Sequence, residues 1–332
     1  MSSSPLQLRY RPMRPADVQP CLAMFARASS GGVSPPHELL AELLAEEAVS
    51  YQVYEGRDRD GRLHLLGFGG TGFVNQAALD PAAPADGSDG GVFGAMWQAE
   101  GRGRRTLLRP PEQGYANSAG TLQLAFLQYG DVTASGDDPL GAHILDLCMQ
   151  TIFAFRDGYS CERLFFEFDR RDPRFASWRR SAQMQGCRAL SAASGARFQH
   201  FELRREDLAG CPISFLRPLF RRVQPLYGFH RGEQRLLQLA LLGWSGEEIA
   251  SELGLALDTV HKRWRSIYQR AEDSGHPPWA DTTGYNRMAR GPEKRRHLLA
   301  HLQHHLEELR PYANERGVAA SACAKRGEAP GD

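Results

Sequence analysis

Two hydrophobic rhythms divide this chain. Between residues 229 and 271, Leu236, Leu239, Ala240, Ile249, Ala250, Leu253, Leu255, Val260, Trp264 and Ile267 recur at helical spacing within successive segments. The pattern predicts a helix, a short helix, a tight turn at Gly254, and another helix carrying Lys and Arg. Ser245, with Glu248 three residues on, has the form of a capping box. Gly254 permits the left-handed conformation that ends a helix. Ile249, Leu253, Val260 and Trp264 can close a small core between the last two helices. His261, Lys262 and Arg265 then remain on the outer face.

Residues 8–205 mix periods of two and of 3.6. A short strand is expected at 8–11, helices near 15–29 and 37–47, and paired strands at 50–54 and 63–74 around turn residues 58–61. Residues 77–91, full of Ala, Pro, Gly and Asp, supply no packing and read as an insertion. The run GRGRR at 101–105 reads as loop, and 122–132 as a strand. Asp138 and Pro139 have the form of an N-cap and first helical residue. Leu140, Ile144, Cys148, Ile152 and Phe155 give that helix one apolar stripe, and Gly158 ends it. A buried strand at 163–168, a helix at 175–185 and a closing strand at 197–203 complete the series. Pro212, Pro218 and Pro225 break the stretch from 206 to 228 into short pieces. Beyond 275, residues 276–291 read as loop and 293–309 as an amphipathic helix with the stripe Leu298, Leu302, Leu306 and Leu309. The expected organisation is a domain at 1–205, a linker at 206–228, a helical domain at 229–275, a loop and helix at 276–316, and a disordered tail at 317–332.

Composition narrows the partners. The 332 residues suffice for two domains, and 40 Lys and Arg against 39 Asp and Glu leave a formal charge of +1. Any affinity for nucleic acid must come from a local patch. The opening MSSSPLQLRYRPMRP has no apolar h-region, so no signal peptide is expected, and no apolar run reaches membrane-spanning length. Six scattered cysteines with no CxxC pair suggest reduced thiols and a cytoplasmic protein. His297, His301, His304 and His305 share one helix, but no HExxH motif or Cys accompanies them. Polar histidines flanking a leucine stripe are the plainer reading, and no metal site is expected.

The helical segment resembles the LuxR-type DNA-binding domain. Glu233, Leu236, Leu237, Leu239, Gly243, Ser245, Glu248, Ile249, Ala250, Leu253, Thr259, Val260 and Ile267 stand at that family's spacing, over about an eighth of the chain. Two positions depart from it: Ala256 replaces the usual Ser before the recognition helix, and Arg263 replaces a His. The resemblance implies an all-α helix-turn-helix whose second helix enters the DNA major groove. By it, His261, Lys262 and Arg265 reach base edges, while Thr259, Arg263 and Arg270 contact phosphates. It also implies a bacterial transcription regulator, with double-stranded DNA as partner, a homodimer on DNA, RNA polymerase as a further candidate partner, and no membrane.

The order of elements in 1–205 is similar to the GNAT acetyltransferase fold, an α/β mixed sheet with helices. Arg11–Pro12 with Asp17, and the passage GYSCERLFFEFDRRDPRFASWRRSAQMQG, carry the likeness. That family cradles CoA pyrophosphate on a Gln/Arg-x-x-Gly-x-Gly/Ala turn. Here Asp138-x-x-Gly141-x-His143 stands in its place, with Asp137 adjacent. The family's proton-donating tyrosine aligns with Ala182. Glu167 is a candidate base, though a strand carboxylate is more often an ion-pair partner. These departures lead to the expectation of a sensor or scaffold domain, with no catalytic residues, no cofactor and no enzyme activity. The rival readings are an active GNAT-type N-acetyltransferase fused to a DNA-binding domain, and a sigma-factor-like promoter subunit.

Overall fold

Strand propensity and tertiary cover together build one seven-stranded sheet. The computed structural model describes residues 7–28, 34–58, 60–79, 91–133, 138–190, 196–211, 214–280 and 291–313. Most of the Ala/Pro/Gly stretch, Asp137 and the tail from Gly317 lie outside the described residues. Contacts divide the chain into two units: Met1–Arg156 with Ser160–Arg221, and Asp157–Tyr159 with Arg222–Asp332.

In the first unit, β1 (Gln7–Pro12) leads to α1 (Pro15–Ala28), α2 (His37–Ala45), β2 (Val49–Arg57) and β3 (Leu63–Val74). Then come α3 (Gly91–Gly101), α4 (Pro110–Ala119), β4 (Leu122–Asp131), α5 (Pro139–Arg156) and β5 (Cys161–Asp169). The unit closes with α6 (Phe175–Met184), β6 (Arg188–Ala189) and β7 (Phe198–Arg204). The sheet order is β1-β2-β3-β4-β5-β7-β6, antiparallel throughout except for β4 beside β5.

Both faces of this sheet are covered, so its middle strands read as long buried runs rather than alternations. On one face Val18, Leu40, Leu43, Phe68, Trp97 and Phe165 form the larger core. On the other, Ile144, Cys148 and Ile152 of α5 pack on Tyr54 and Leu66. The glycines of β3 make this cover close. A Cβ at Gly70 would stand 2.1 Å from the Tyr51 ring, and one at Gly69 2.5 Å from Cys148 Sγ. Arg156, at the end of α5, is buried and donates to the hydroxyl and carbonyl of Thr71 (2.7 and 3.1 Å).

The second unit contains α7 (Arg231–Leu241), α8 (Gly246–Glu252), α9 (Leu257–Asp273) and α10 (Gly291–Leu302). Ser245 and Glu248 cap α8 reciprocally: Ser245 N–H donates to the Glu248 carboxylate (2.7 Å) and Glu248 N–H to Ser245 Oγ (3.2 Å). Gly254 sits at φ +62° between α8 and α9. Leu236, Leu237, Ile249, Val260, Trp264 and Ile267 share one core with Leu298, Leu302 and Leu309. The helix expected over 293–309 stops at Leu302, and Leu306–Leu309 form a separate 3-10 turn. The reason lies in Glu308: its buried carboxylate accepts the backbone N–H groups of Leu226 and Tyr227, which a continuous helix would not aim at it.

Candidate functional site

The parallel pair supplies an apolar opening in the first unit. β4 and β5 are paired from Leu122 beside Cys161 to Phe126 beside Phe166, and then part. On its other edge β4 stays paired with β3 as far as Asp131 beside Gly67. There Gly70 faces Gln128 while Thr71 faces Phe126, so Leu127 is an extra residue in β4. Such a bulge bends and twists its strand, here where β4 leaves β5.

A cavity of about 250 Å³ lies at the parting. It crosses the sheet, with Phe25 and Phe93 on one face and Leu145, Cys148 and Met149 on the other. Phe126, Phe166, Phe168, Trp178 and Ala182 add to an apolar wall. Gln128, Tyr129, Glu167, Asp169, Asp172, Arg174, Ser181 and Gln185 are the polar residues of the lining, and three of them have settings that bear on chemistry.

Glu167, on β5, is the first of these. Val92 N–H, at the start of α3, donates to its Oε2 (2.7 Å), and His200 Nε2 of β7 lies 2.6 Å from the same oxygen. Gly91 permits this approach: it sits at φ +66°, and a Cβ there would stand 2.4 Å from the carboxylate. A helix start favours a carboxylate. His200 stacks on Phe165, and its Nδ1 is buried with no hydrogen-bond partner among the described residues.

Tyr129, on β4, is the second. Its hydroxyl is buried and makes no hydrogen bond among the described residues. The neighbouring Asp131 is already engaged, accepting from Thr133 N–H (2.7 Å) and from Arg174 NH1 (2.8 Å). Burial, and then the Asp131 charge, raise the Tyr129 phenol well above its ordinary range, so it stays protonated and able to donate. Arg174 pairs with Asp172 as well and lies over the Trp178 ring, 4.6 Å from its centre.

Ala182 is buried and lines the cavity. Asp138 caps α5 with its own side chain, Oδ1 accepting Leu140 N–H (2.9 Å). It therefore takes a donor that an anion at this helix start would need. Sequence reasoning singles out Glu167 but misses Tyr129, His200 and Arg174. No local motif marks them, because residues from β4, β7 and the turn before α6 meet only through sheet order.

In the second unit, His261, Lys262 and Arg265 are exposed on one face of α9. Lys262 pairs with Asp258 one turn back (2.7 Å). Arg263 and Arg270 are half-buried. Arg263 reaches the Gly232 carbonyl (3.4 Å), and Arg270 pairs with Glu233 (3.1 Å), so both turn toward α7 rather than joining the exposed trio. Thr259, in the first turn of α9, is half-buried as well. His301 stacks on His305, and no group of three metal-ligating side chains occurs among the described residues. Among them, too, no helix is long and apolar enough to cross a membrane.

No family model matches the chain, and no curated protein matches it. Solved structures do. FeeM, an N-acyl amino acid synthase from uncultured soil microbes, is 12% identical with a TM-score of 0.36, covering 64% of this chain and 96% of its own. Mutant forms of the spermidine/spermine N-acetyltransferase SpeG from Vibrio cholerae are 10% identical at 0.32, covering 61% and 98%. A putative acetyltransferase of the GNAT family from Desulfovibrio desulfuricans is 13% identical at 0.32, covering 60% and 99%. The likeness is one of fold alone, a mixed α/β sheet with helices. The expectation that the chain is no enzyme does not stand beside these neighbours, whose activities, a synthase and acetyltransferases, are said of them alone.

Proposed function

We propose that the first unit transfers an acyl group from a thioester to an amine, and that the second unit binds duplex DNA. The observation that carries the first half is the Glu167 carboxylate, fixed by Val92 N–H and His200 at the parting of β4 and β5. In this reading the neutral amine attacks the thioester carbonyl, and Glu167 takes the proton it sheds. The C–N bond forms, the C–S bond breaks, and the departing sulfur takes its proton from solvent while the protonated Tyr129 hydroxyl offers it a hydrogen bond. Glu167 then returns its proton to solvent, and no net charge accumulates. Beyond Phe126 the β4 backbone has no β5 partner, leaving peptide groups for the amides of a pantetheine arm. The test is time-dependent release of free thiol from an acyl thioester with a panel of amines. Glu167→Gln should lower the rate by roughly 10²- to 10⁴-fold, as expected for loss of a general base. Equal rates for wild type and variant would reject this assignment.

The DNA-binding half rests on the exposed trio His261, Lys262 and Arg265, next to a capped α8 and a left-handed turn at Gly254. This reading makes α8 and α9 a LuxR-type helix-turn-helix in a cytoplasmic regulator. The trio meets base edges, and Thr259 and Arg263 meet phosphates. Arg270, shared with Glu233, reaches a phosphate only by leaving that pair. Fluorescence anisotropy with the intact chain should show affinity for duplex DNA that falls steeply with salt, because phosphate contacts release counterions. Salt-independent binding, or none at low salt, would overturn it.

A further inference from the structure

We infer that the cavity between β4 and β5 takes a medium-length acyl chain, delivered as a pantetheine thioester without help from a nucleotide. This rests on the acyl-transfer reading and names its substrate class.

The walls specify the chain. Phe126, Phe166, Phe168 and Trp178 present aromatic faces, and Cys148 and Met149 add sulfur and flexible carbon. An acetyl group buries one methyl and leaves most of a cavity of about 250 Å³ unfilled. A longer chain fills it and removes apolar surface on both partners from water. Each buried methylene contributes about 0.8 kcal/mol, or roughly a fourfold gain in affinity. Glu167 and Tyr129 lie where the strands separate, on opposite sides of the sheet, while Asp172, Arg174, Ser181 and Gln185 border the cavity around α6. That places the reacting thioester at the parting, with the hydrocarbon running along α5 and α6.

The start of α5 specifies what carries the chain. An anion at this helix start would meet a carboxylate, since Asp138 accepts Leu140 N–H and adds its own negative charge. The chemistry that remains is a pantetheine arm, which has amides and no pyrophosphate. Acyl-CoA and a pantetheine-bearing carrier protein share that arm, and a thioester of pantetheine alone separates the two.

The experiment is calorimetric titration of the intact chain, with Trp178 fluorescence as a second signal. The probes are acetyl-, octanoyl- and dodecanoyl-pantetheine, and octanoyl-CoA. Octanoyl-pantetheine should bind at least a hundredfold more tightly than acetyl-pantetheine, and octanoyl-CoA no more tightly than octanoyl-pantetheine. Ala182→Phe, which fills the cavity, should erase the chain-length preference. Met149→Ala, which enlarges it, should move the optimum toward dodecanoyl and keeps the test open if the first variant does not fold. Equal affinity for acetyl and octanoyl thioesters would overturn the inference and leave the acyl-transfer reading standing. Binding of octanoyl-CoA with none of octanoyl-pantetheine would overturn the nucleotide-free delivery. Failure of every thioester to bind would instead remove the reading on which the inference rests.

Discussion

Tyr129 illustrates how burial and a neighbouring charge keep a phenol protonated beside a candidate site. Asp131, whose oxygens accept from Thr133 and Arg174, adds the charge that holds the phenol proton on. In the acyl-transfer reading, Tyr129→Phe removes a hydrogen bond to the departing sulfur and should slow thiol release by roughly tenfold, while thioester affinity stays within a factor of a few. Rapid-quench measurement at saturating thioester checks this, and an unchanged rate would take Tyr129 out of the reaction. The sequence makes such a residue nearly invisible, since Tyr129 reads as one more strand aromatic. Glu167 stands out as a carboxylate in an apolar strand. His200 does not, because its role depends on β7 lying beside β5, and residue spacing does not encode that pairing.

At the scale of elements, local chemistry is legible wherever the element dictates its own ends. The cap formed by Ser245 and Glu248 and the stripe of α5 are read directly from spacing. Ser245→Ala should cost about 1 kcal/mol of second-unit stability, as typical of a lost N-cap, measurable as a lower urea midpoint. A midpoint within error of wild type would show that the cap is dispensable. α3 and α4 escape a reading by pattern: the glycines around α3 and the paired prolines opening α4 look like loop. Yet Pro110 and Pro111 fall at the first helical positions and Arg109 N–H donates to Glu112 (2.8 Å), so the start signal is present. The end of α10 is illegible for a different reason, since Glu308 is drawn away by backbone from residues 226 and 227. On α9, Arg265→Ala should relax base preference at one position by about 1–3 kcal/mol. Selection from random duplexes would show it, and an unaltered motif would move Arg265 off the base edges.

For the molecule as a whole, near-neutral charge leaves function to two separately built units, one with a cleft and one with an exposed basic face. In the DNA-binding reading proposed for the second unit, one such unit reads few base pairs, so two copies on half-sites about one helical turn apart are expected. A footprint shorter than one turn with one chain per duplex would contradict this. The second unit should also respond to pH through Glu308. Burial pushes this carboxyl up to about 7 against an ordinary 4.5, even though Leu226 and Tyr227 N–H groups favour its charged form. A raised carboxylate stabilises the folded state most below 4.5, and the contribution is lost as pH climbs through 7. Urea midpoints between pH 5 and 8 should fall for wild type and flatten in Glu308→Gln, and parallel curves would exclude Glu308 as the source. The same buried acid links unfolding to the solvent's own chemistry. Near pH 6 the folded unit holds a proton that the unfolded chain lets go, so melting it delivers acid to the medium. The heat recorded for that melting then includes the heat of whichever buffer takes up the proton. Unfolding enthalpies taken in phosphate and in imidazole at the same pH and temperature should differ, and by an amount that counts the protons.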